Sequence, residues 1–138
     1  YTDYGSRKGL ALLAHPSVSV VFPWYTQHRQ IKIFGHAAPT DAEVSDAYFD
    51  SRPRGSQVSA WASDQSHPIS SREALEEKVH EIESRFHGEE KLPRPEKWGG
   101  FVIEPQRVEF WAGRTSRLHD RIRFEKTSEG WVSSRLQP

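Results

Sequence analysis

The chain of 138 residues contains no cysteine and no methionine. Without thiols there can be no disulfide, no thiolate metal site and no cysteine nucleophile. Neither sign of charge is in excess: 19 Lys and Arg face 19 Asp and Glu, for a formal net charge of zero. Gripping nucleic acid by its phosphates needs a basic surplus, so nucleic-acid binding is not expected, although a local basic pocket remains open. No apolar run approaches the ~18 residues of a membrane span. The seven histidines are scattered, with no H-x-x-x-H pair, so no metal site is expected. G-x-S-x-G, Walker A and G-x-G-x-x-G are also absent, as are repeats and low-complexity segments.

Apolar residues are scarce as well. They make up 35% of the chain, and about 41% with glycine counted, against the usual ~45–50%. The mean hydropathy of −0.77 agrees. Aromatics, at 12%, partly compensate because each buries a large area. Two explanations stand side by side: a core completed at an interface or around a cofactor, or a small domain with a large polar surface. The length fits one domain over residues 1–138. Tyr1 reads as the middle of a structured region, and the expectation is that N-terminal strands of the pattern lie outside this chain.

Ser6 is placed to cap a helix running to Ala14, ended by His15-Pro16. Ser17–Trp24 reads as a buried strand, and Gln30–His36 as its antiparallel partner. Thr40-Asp41-Ala42-Glu43 has the form of a capping box for a helix to about Arg52. Pro53 cannot continue that helix and begins a second one, to about Ala62. Ser70-Ser71-Arg72-Glu73 opens a third, whose Leu75, Val79, Ile82 and Phe86 share a face; Gly88 ends it. Glu89–Lys97 reads as an exposed connector. Strands are expected at Gly99–Glu104 and Arg107–Ala112 around a Pro105-Gln106 turn, then at Arg121–Lys126 and Gly130–Leu136. Strands, then helices, then strands give an α+β fold with an antiparallel sheet, which closure into a small barrel would relieve of edges.

Two clusters point to chemistry. In the first, Tyr48, Arg52 and Ser56 surround the junction at Pro53, where a guanidinium, two hydroxyls and a helix start could hold one phosphate monoester. An ordinary helix–helix corner with a surface arginine is the alternative. The second is Arg117-Leu118-His119-Asp120-Arg121, with His119 between two cations that disfavour its protonation. An exposed basic loop would look the same. Arg7 and Lys8 add a third basic pair at a helix start, which is either solvated or holds another phosphate.

Taken in order, the motifs resemble the pyridoxine (pyridoxamine) 5′-phosphate oxidase family of FMN-binding split-barrel proteins. The resemblance rests on Tyr1-Thr2-Asp3-Tyr4-Gly5-Ser6-Arg7-Lys8, Arg29-Gln30, Tyr48-Phe49-Asp50-Ser51-Arg52-Pro53, Ser56-Gln57, Gln65-Ser66, Trp98-Gly99-Gly100, Glu109-Phe110-Trp111, Arg117–Arg121 and the closing Arg135-Leu136-Gln137-Pro138. It implies an antiparallel, Greek-key-like split β-barrel with flanking helices, and a cytoplasmic homodimer with FMN at the interface. It also implies oxidation of pyridoxamine or pyridoxine 5′-phosphate to pyridoxal 5′-phosphate, with O2 as acceptor and H2O2 as product. Tyr1, Thr2, Arg7, Lys8, Gln30, Gln65, Ser66, Trp111 and Arg121 correspond to FMN contacts. Tyr48, Arg52 and Ser56 correspond to the substrate-phosphate cradle. Arg117, Leu118 and His119 correspond to a wall over the pyridine ring, with Arg117 and His119 in catalytic positions. The family's upstream Arg-x-Val-Leu-Leu-Lys-like segment has no counterpart here, Asp3 replaces a more usual asparagine, and Asp64 and His67 are unusual beside Gln65-Ser66. Another split-barrel flavin or deazaflavin reductase, or a non-catalytic flavin or pyridoxal phosphate binder, would share part of the pattern.

Overall fold

A computed structural model describes all residues, Tyr1–Pro138. Seven strands and four helices follow in the order β1 (Thr2–Asp3), α1 (Arg7–Ala14), β2 (Ser17–Trp24), β3 (Arg29–Pro39), α2 (Ala42–Ser51), α3 (Arg54–Ala62), α4 (Arg72–Arg85), β4 (Trp98–Gly99), β5 (Phe101–Ala112), β6 (Asp120–Thr127) and β7 (Gly130–Leu136). The chain is α+β with antiparallel sheets, as its element pattern predicts. It divides into two compact units: Tyr1–Ala14 with Pro39–Val102, and His15–Ala38 with Ile103–Pro138. No helix is long and apolar enough to cross a membrane.

The first unit is helical around a two-stranded β1–β4 pair. Ser6 Oγ accepts from Gly9 N–H at 3.1 Å and so caps α1 as its sequence position indicates. Gly9 is required there, since a Cβ would meet the carbonyl oxygen of Tyr4. The core gathers Phe49, Val58, Ala60, Phe86, Leu92 and Trp98, with Val79 and Ile82 of α4 packed against it. Val79, Ile82 and Phe86 are three of the four positions that the four-three-four spacing selects; Leu75 is not part of this cluster. Ser71 caps α4, its Oγ accepting from Ala74 N–H at 3.2 Å.

Two expectations in this unit need correction. The capping box at Thr40–Glu43 does not form, because Thr40 Oγ1 instead hydrogen-bonds Ser45 Oγ at 2.8 Å and α2 begins without a side-chain cap. The Glu89–Lys97 connector is not simply exposed. Leu92 is fully buried, its N–H donates to Gln57 Oε1 at 3.2 Å, and Trp61 Nε1 donates to the Pro93 carbonyl at 2.8 Å. A buried loop must have its polar groups satisfied, and Gln57 does this here.

The second unit is a five-stranded antiparallel sheet in the order β2-β3-β5-β6-β7. Pairing of Ser17 with His36 through Trp24 with Arg29 sets the β2–β3 register. Pairs such as Val108–Phe124 and Phe110–Ile122 place apolar side chains on one face of β5 and β6, while Glu109, Trp111, Arg121 and Arg123 take the other. The supposed turn at Pro105-Gln106 is absent, since β5 runs unbroken from Phe101 to Ala112. Pro105 lies beyond the Arg107–Glu125 end of the β5–β6 ladder, so its missing N–H costs that ladder no rung. β2 is an edge strand and is not buried; Val21, Phe22 and Trp24 are all substantially exposed. β-branched composition reports a strand, but not whether a neighbour covers it.

Candidate functional site

In the first unit, Arg52 ends α2 in extended conformation (φ −76°, ψ 146°), forced out of the helix by the following proline. Its guanidinium lies 4.6 Å from the ring centre of Trp98 and 5.7 Å from that of Phe49. Nη1 is buried and has no hydrogen-bond partner. A buried charged donor without a partner is costly, a cost that an anion beside it would relieve. Arg52 also lines a pocket of about 210 Å³ with Asp3, Ser59, Ala60, Ser63, Gln65 and Trp98. Tyr48 stacks parallel to Trp98 at 6.2 Å and to Tyr1 at 3.8 Å. Trp98 therefore links Tyr48 and Arg52. Ser56 stands apart from that stack, and its N–H is already bound to the Pro53 carbonyl at 2.8 Å. The start of α3 is open, with nothing near a Cβ built on Gly55.

Thr2 is buried, and its Oγ1 donates to Gln65 Oε1 at 3.0 Å. Asp3 N–H donates to the same oxygen at 3.0 Å, so Gln65 is bound to β1 and its amide nitrogen is left for other acceptors. Ser66 has φ 71°, the left-handed region that a serine enters only at a cost. Arg7 and Lys8 are exposed in the first turn of α1, which holds no acidic residue. Two cations at the positive end of a helix dipole are unfavourable by themselves and favourable with an anion beside them.

In the second unit, Gln30 and Trp111 line a cleft of about 400 Å³ with Trp24, Ile31, Phe110, Ala112 and Ile122 among its walls. Arg121 does not face solvent freely. Its Nε and Nη2 hold the buried Glu109 carboxylate at 2.8 and 3.1 Å, and Nη1 donates to the Gln137 carbonyl at 3.0 Å. That hydrogen bond from Arg121 holds the Glu109 carboxyl below its ordinary range against the opposing effect of burial. Two of the five N–H groups a guanidinium carries remain for another acceptor.

Ser116 (φ 55°) and Arg117 (φ 61°) are consecutive left-handed residues, and neither is glycine. Such conformations cost roughly 1–2 kcal/mol each. Leu118 (φ −81°, ψ 59°) follows in an inverse γ-turn, closed by His119 N–H to the Arg117 carbonyl at 2.9 Å. The turn leaves Leu118 68% exposed, while the Arg117 guanidinium enters no ion pair. The His119 ring sits 4.7 Å from that of Trp111, and its Nδ1 accepts from Arg114 N–H at 3.2 Å. With Nδ1 accepting, Nε2 is the ring nitrogen left to donate. Asp120 pairs with Arg114 and Arg135, each at 2.7 Å, rather than with its neighbours Arg117 and Arg121. Those two hydrogen bonds depress its carboxyl from the ordinary value.

Sequence reasoning gave no role to four contributors. Trp98 stood out only within the Trp98-Gly99-Gly100 motif, yet it is the ring on which Arg52 rests. Glu109 gave no signal except its place before Phe110-Trp111. Asp64, whose carboxyl is pulled down to about 2 by Lys78 and Lys97, stood out only as a departure beside Gln65-Ser66, and Lys97 only as the end of an exposed connector.

Strands, helices and clefts of this kind define the split-barrel class of α+β proteins. A crystal structure of PhzG from Burkholderia lata, in complex with tetrahydrophenazine-1-carboxylic acid, matches with a TM-score of 0.88 and 34% identity, over 99% of this chain and 66% of that one. A pyridoxamine 5′-phosphate oxidase-related, FMN-binding protein from Nostoc punctiforme shares the fold at a TM-score of 0.67 and 14% identity, over 99% of this chain and 71% of that one.

Residues 1–86 match the family described as pyridoxamine 5′-phosphate oxidase, and residues 98–138 match the C-terminal dimerisation region of pyridoxine 5′-phosphate oxidase. The chain belongs to the pyridoxamine 5′-phosphate oxidase family. Pyridoxine/pyridoxamine 5′-phosphate oxidases of Rubrobacter xylanophilus and Nocardioides sp. are 50% and 48% identical to it along its whole length. It spans 63% and 64% of those relatives, respectively.

Proposed function

We propose that residues 1–138 form an FMN-binding split-barrel domain of an oxidase that converts pyridoxamine or pyridoxine 5′-phosphate to pyridoxal 5′-phosphate. The observation that carries this reading is the unpartnered Nη1 of Arg52, held on Trp98 beside Tyr48. A phosphate monoester would supply the missing acceptor through a charge-assisted bond. Family membership and the named relatives support the same substrate class.

The residues present fit FMN. Unpaired Arg7 and Lys8 at the start of α1, the free amide nitrogen of Gln65 and the hydroxyl of Ser66 are suited to its phosphate and polar edge. Gln30 and Trp111 offer a hydrogen-bonding edge and a flat apolar wall to a ring system. When bound, FMN would supply the two-electron redox chemistry between the substrate's C4′ and O2. For the alcohol, substrate plus O2 gives aldehyde plus H2O2; for the amine, a water is consumed and ammonia leaves as well.

The protein's own part is alignment and charge. Arg52, with Tyr48 and Ser56 in support, holds the phosphate and fixes the register of the substrate ring. Arg117 brings an unpaired cation and Leu118 an apolar surface. His119 offers its Nε2–H to a ring substituent. None of them has to be a strong base, because hydride transfer depends mainly on alignment and on the charge facing the reacting carbon. The dimerisation-region match supports a homodimer, and the chemistry fits a cytoplasmic enzyme.

The likeness to PhzG favours a second reading, oxidation of a reduced tricyclic carboxylic acid. Such a substrate has no phosphate monoester, and its carboxylate would have to serve as the acceptor for Arg52 Nη1. The test is to purify the protein, record its flavin absorbance, and add pyridoxamine 5′-phosphate under air. Aldehyde and peroxide in equal amounts are expected. Yellow protein with no turnover of either vitamer, but turnover of a dihydrophenazine acid, would replace the first reading by the second.

A further inference from the structure

The nine residues between α3 and α4 carry Gln65 and Ser66, and they are held by a network that runs through Ser63, Asp64 and Gln65. Lys97 Nζ donates to the Ser63 carbonyl at 2.9 Å and to Asp64 Oδ1 at 2.7 Å, and lies 3.5 Å from Asp3 Oδ2. Asp64 Oδ2 accepts from Lys78 of α4 at 2.8 Å. Asp3 in turn donates its N–H to Gln65 Oε1 and accepts Gly5 N–H on Oδ1 at 2.7 Å. The backbone of Lys97 completes the connection, because Tyr4 N–H donates to its carbonyl at 2.7 Å. One ammonium thus joins Ser63 and Asp64 to Asp3 of β1, and Asp3 N–H holds Gln65, on the wall of the pocket that Arg52 lines.

We propose that Lys97 is a positioning residue: through Asp64 and Asp3 it presets the Gln65-Ser66 turn against Thr2-Asp3, so that this turn meets the flavin already ordered. The idea rests on the FMN reading above. A loop with an exposed left-handed serine and no apolar anchor would otherwise have to be ordered at the expense of ligand affinity. The bridge is an ion pair reinforced by a carbonyl contact, with Lys97 partly buried and Asp3 almost wholly so. Burial works against the Lys97 charge, but hydrogen bonding and attraction from Asp64, then Asp3, outweigh it and raise its pKa. Asp64 stays ionised down to about pH 2. With the Asp64 carboxyl lowered and the Lys97 ammonium raised, both stay charged around neutral pH, so their pair is a fixed structural device and not a pH switch.

The experiment is backbone amide exchange on the intact, flavin-free protein, together with an FMN titration. Lys97→Met should speed exchange at residues 64–67 by about fivefold, with no change in α2 or in the Phe49 and Leu92 core, and should raise the FMN Kd by a similar factor. Lys97→Arg, which keeps the charge, should restore most of both. Unchanged exchange at 64–67, or faster exchange spread evenly through the unit, would overturn the proposal, as would a faster loop with an unaltered FMN Kd. A wild-type protein that binds no FMN would defeat the flavin reading instead, and the exchange data would still decide whether the clamp exists.

Discussion

Arg52 separates a ligand-holding arginine from a structural one, because the two roles predict opposite signs for the same substitution. In Arg52→Met the aliphatic stem that covers Trp98 is largely kept. What the free protein loses is the cation–π contact at 4.6 Å, worth about 0.5–1 kcal/mol. What it sheds is a buried N–H donor with no partner, a liability of about 1–3 kcal/mol. The ligand-free variant should therefore be as stable as the parent or more so, by about 0–2.5 kcal/mol. Phosphate binding should move the other way. A charge-assisted hydrogen bond of about 1.5–3 kcal/mol is lost, weakening a phosphorylated vitamer about ten- to hundredfold. The loss should appear mainly in KM, because the phosphate is held equally in the ground and transition states. Urea unfolding without ligand gives the first sign, and steady-state kinetics with pyridoxamine 5′-phosphate gives the second. A variant destabilised by more than about 1 kcal/mol with an unaltered KM would show that Arg52 serves the fold alone.

Three further outcomes are expected. Arg117→Ala should lower kcat by at least about tenfold while flavin content, read from absorbance, stays near that of the parent; equal losses of both would contradict a substrate-facing role. Gly35→Ala should cost more than about 3 kcal/mol in thermal or urea unfolding, because the new Cβ would strike the Glu104 backbone carbonyl across the sheet, and backbone cannot swing aside as a side chain can; a silent substitution would mean that the strand crossing is misplaced. The Glu109–Arg121 pair depresses the Glu109 carboxyl below its ordinary value of 4.5, so its contribution to stability is complete above that pH and drains away as acid protonates the folded carboxylate. Glu109→Gln should flatten that acid limb of a stability-versus-pH curve, and an unchanged limb would assign it to other groups.

Local physics was legible in the sequence almost everywhere. Ser6 and Ser71 cap because a hydroxyl beside free N–H groups needs no tertiary partner. The stripe Val79, Ile82 and Phe86 finds the core because its period matches the helix. Pro53 breaks α2 from α3 because the residue before proline cannot stay helical. Arg52, Tyr48 and His119 could be singled out since their chemistry is intrinsic to the side chain and their spacing is short. The errors fell where a distant residue decides. Nothing near Pro105 in the chain reveals that the β6 ladder ends at Arg107, two residues before it would need the Pro105 N–H. Nothing near Leu92 reveals that Gln57 waits to accept its amide.

The same divide separates the parts of the candidate site. Residue types and local order determined that a guanidinium would stand at a helix junction, and that a basic turn would carry one histidine. Only the tertiary structure decided that Arg52 rests on Trp98 with a donor unspent, that Arg121 is largely committed to Glu109, that His119 is a donor at Nε2 because Arg114 holds Nδ1, and that Lys97 ties the Gln65 turn to β1. Propensity, capping and periodicity act over a few residues and are written in the order of the chain. The satisfaction of a buried charge depends on which atoms the fold brings within about 3 Å, and no short stretch of sequence contains that information.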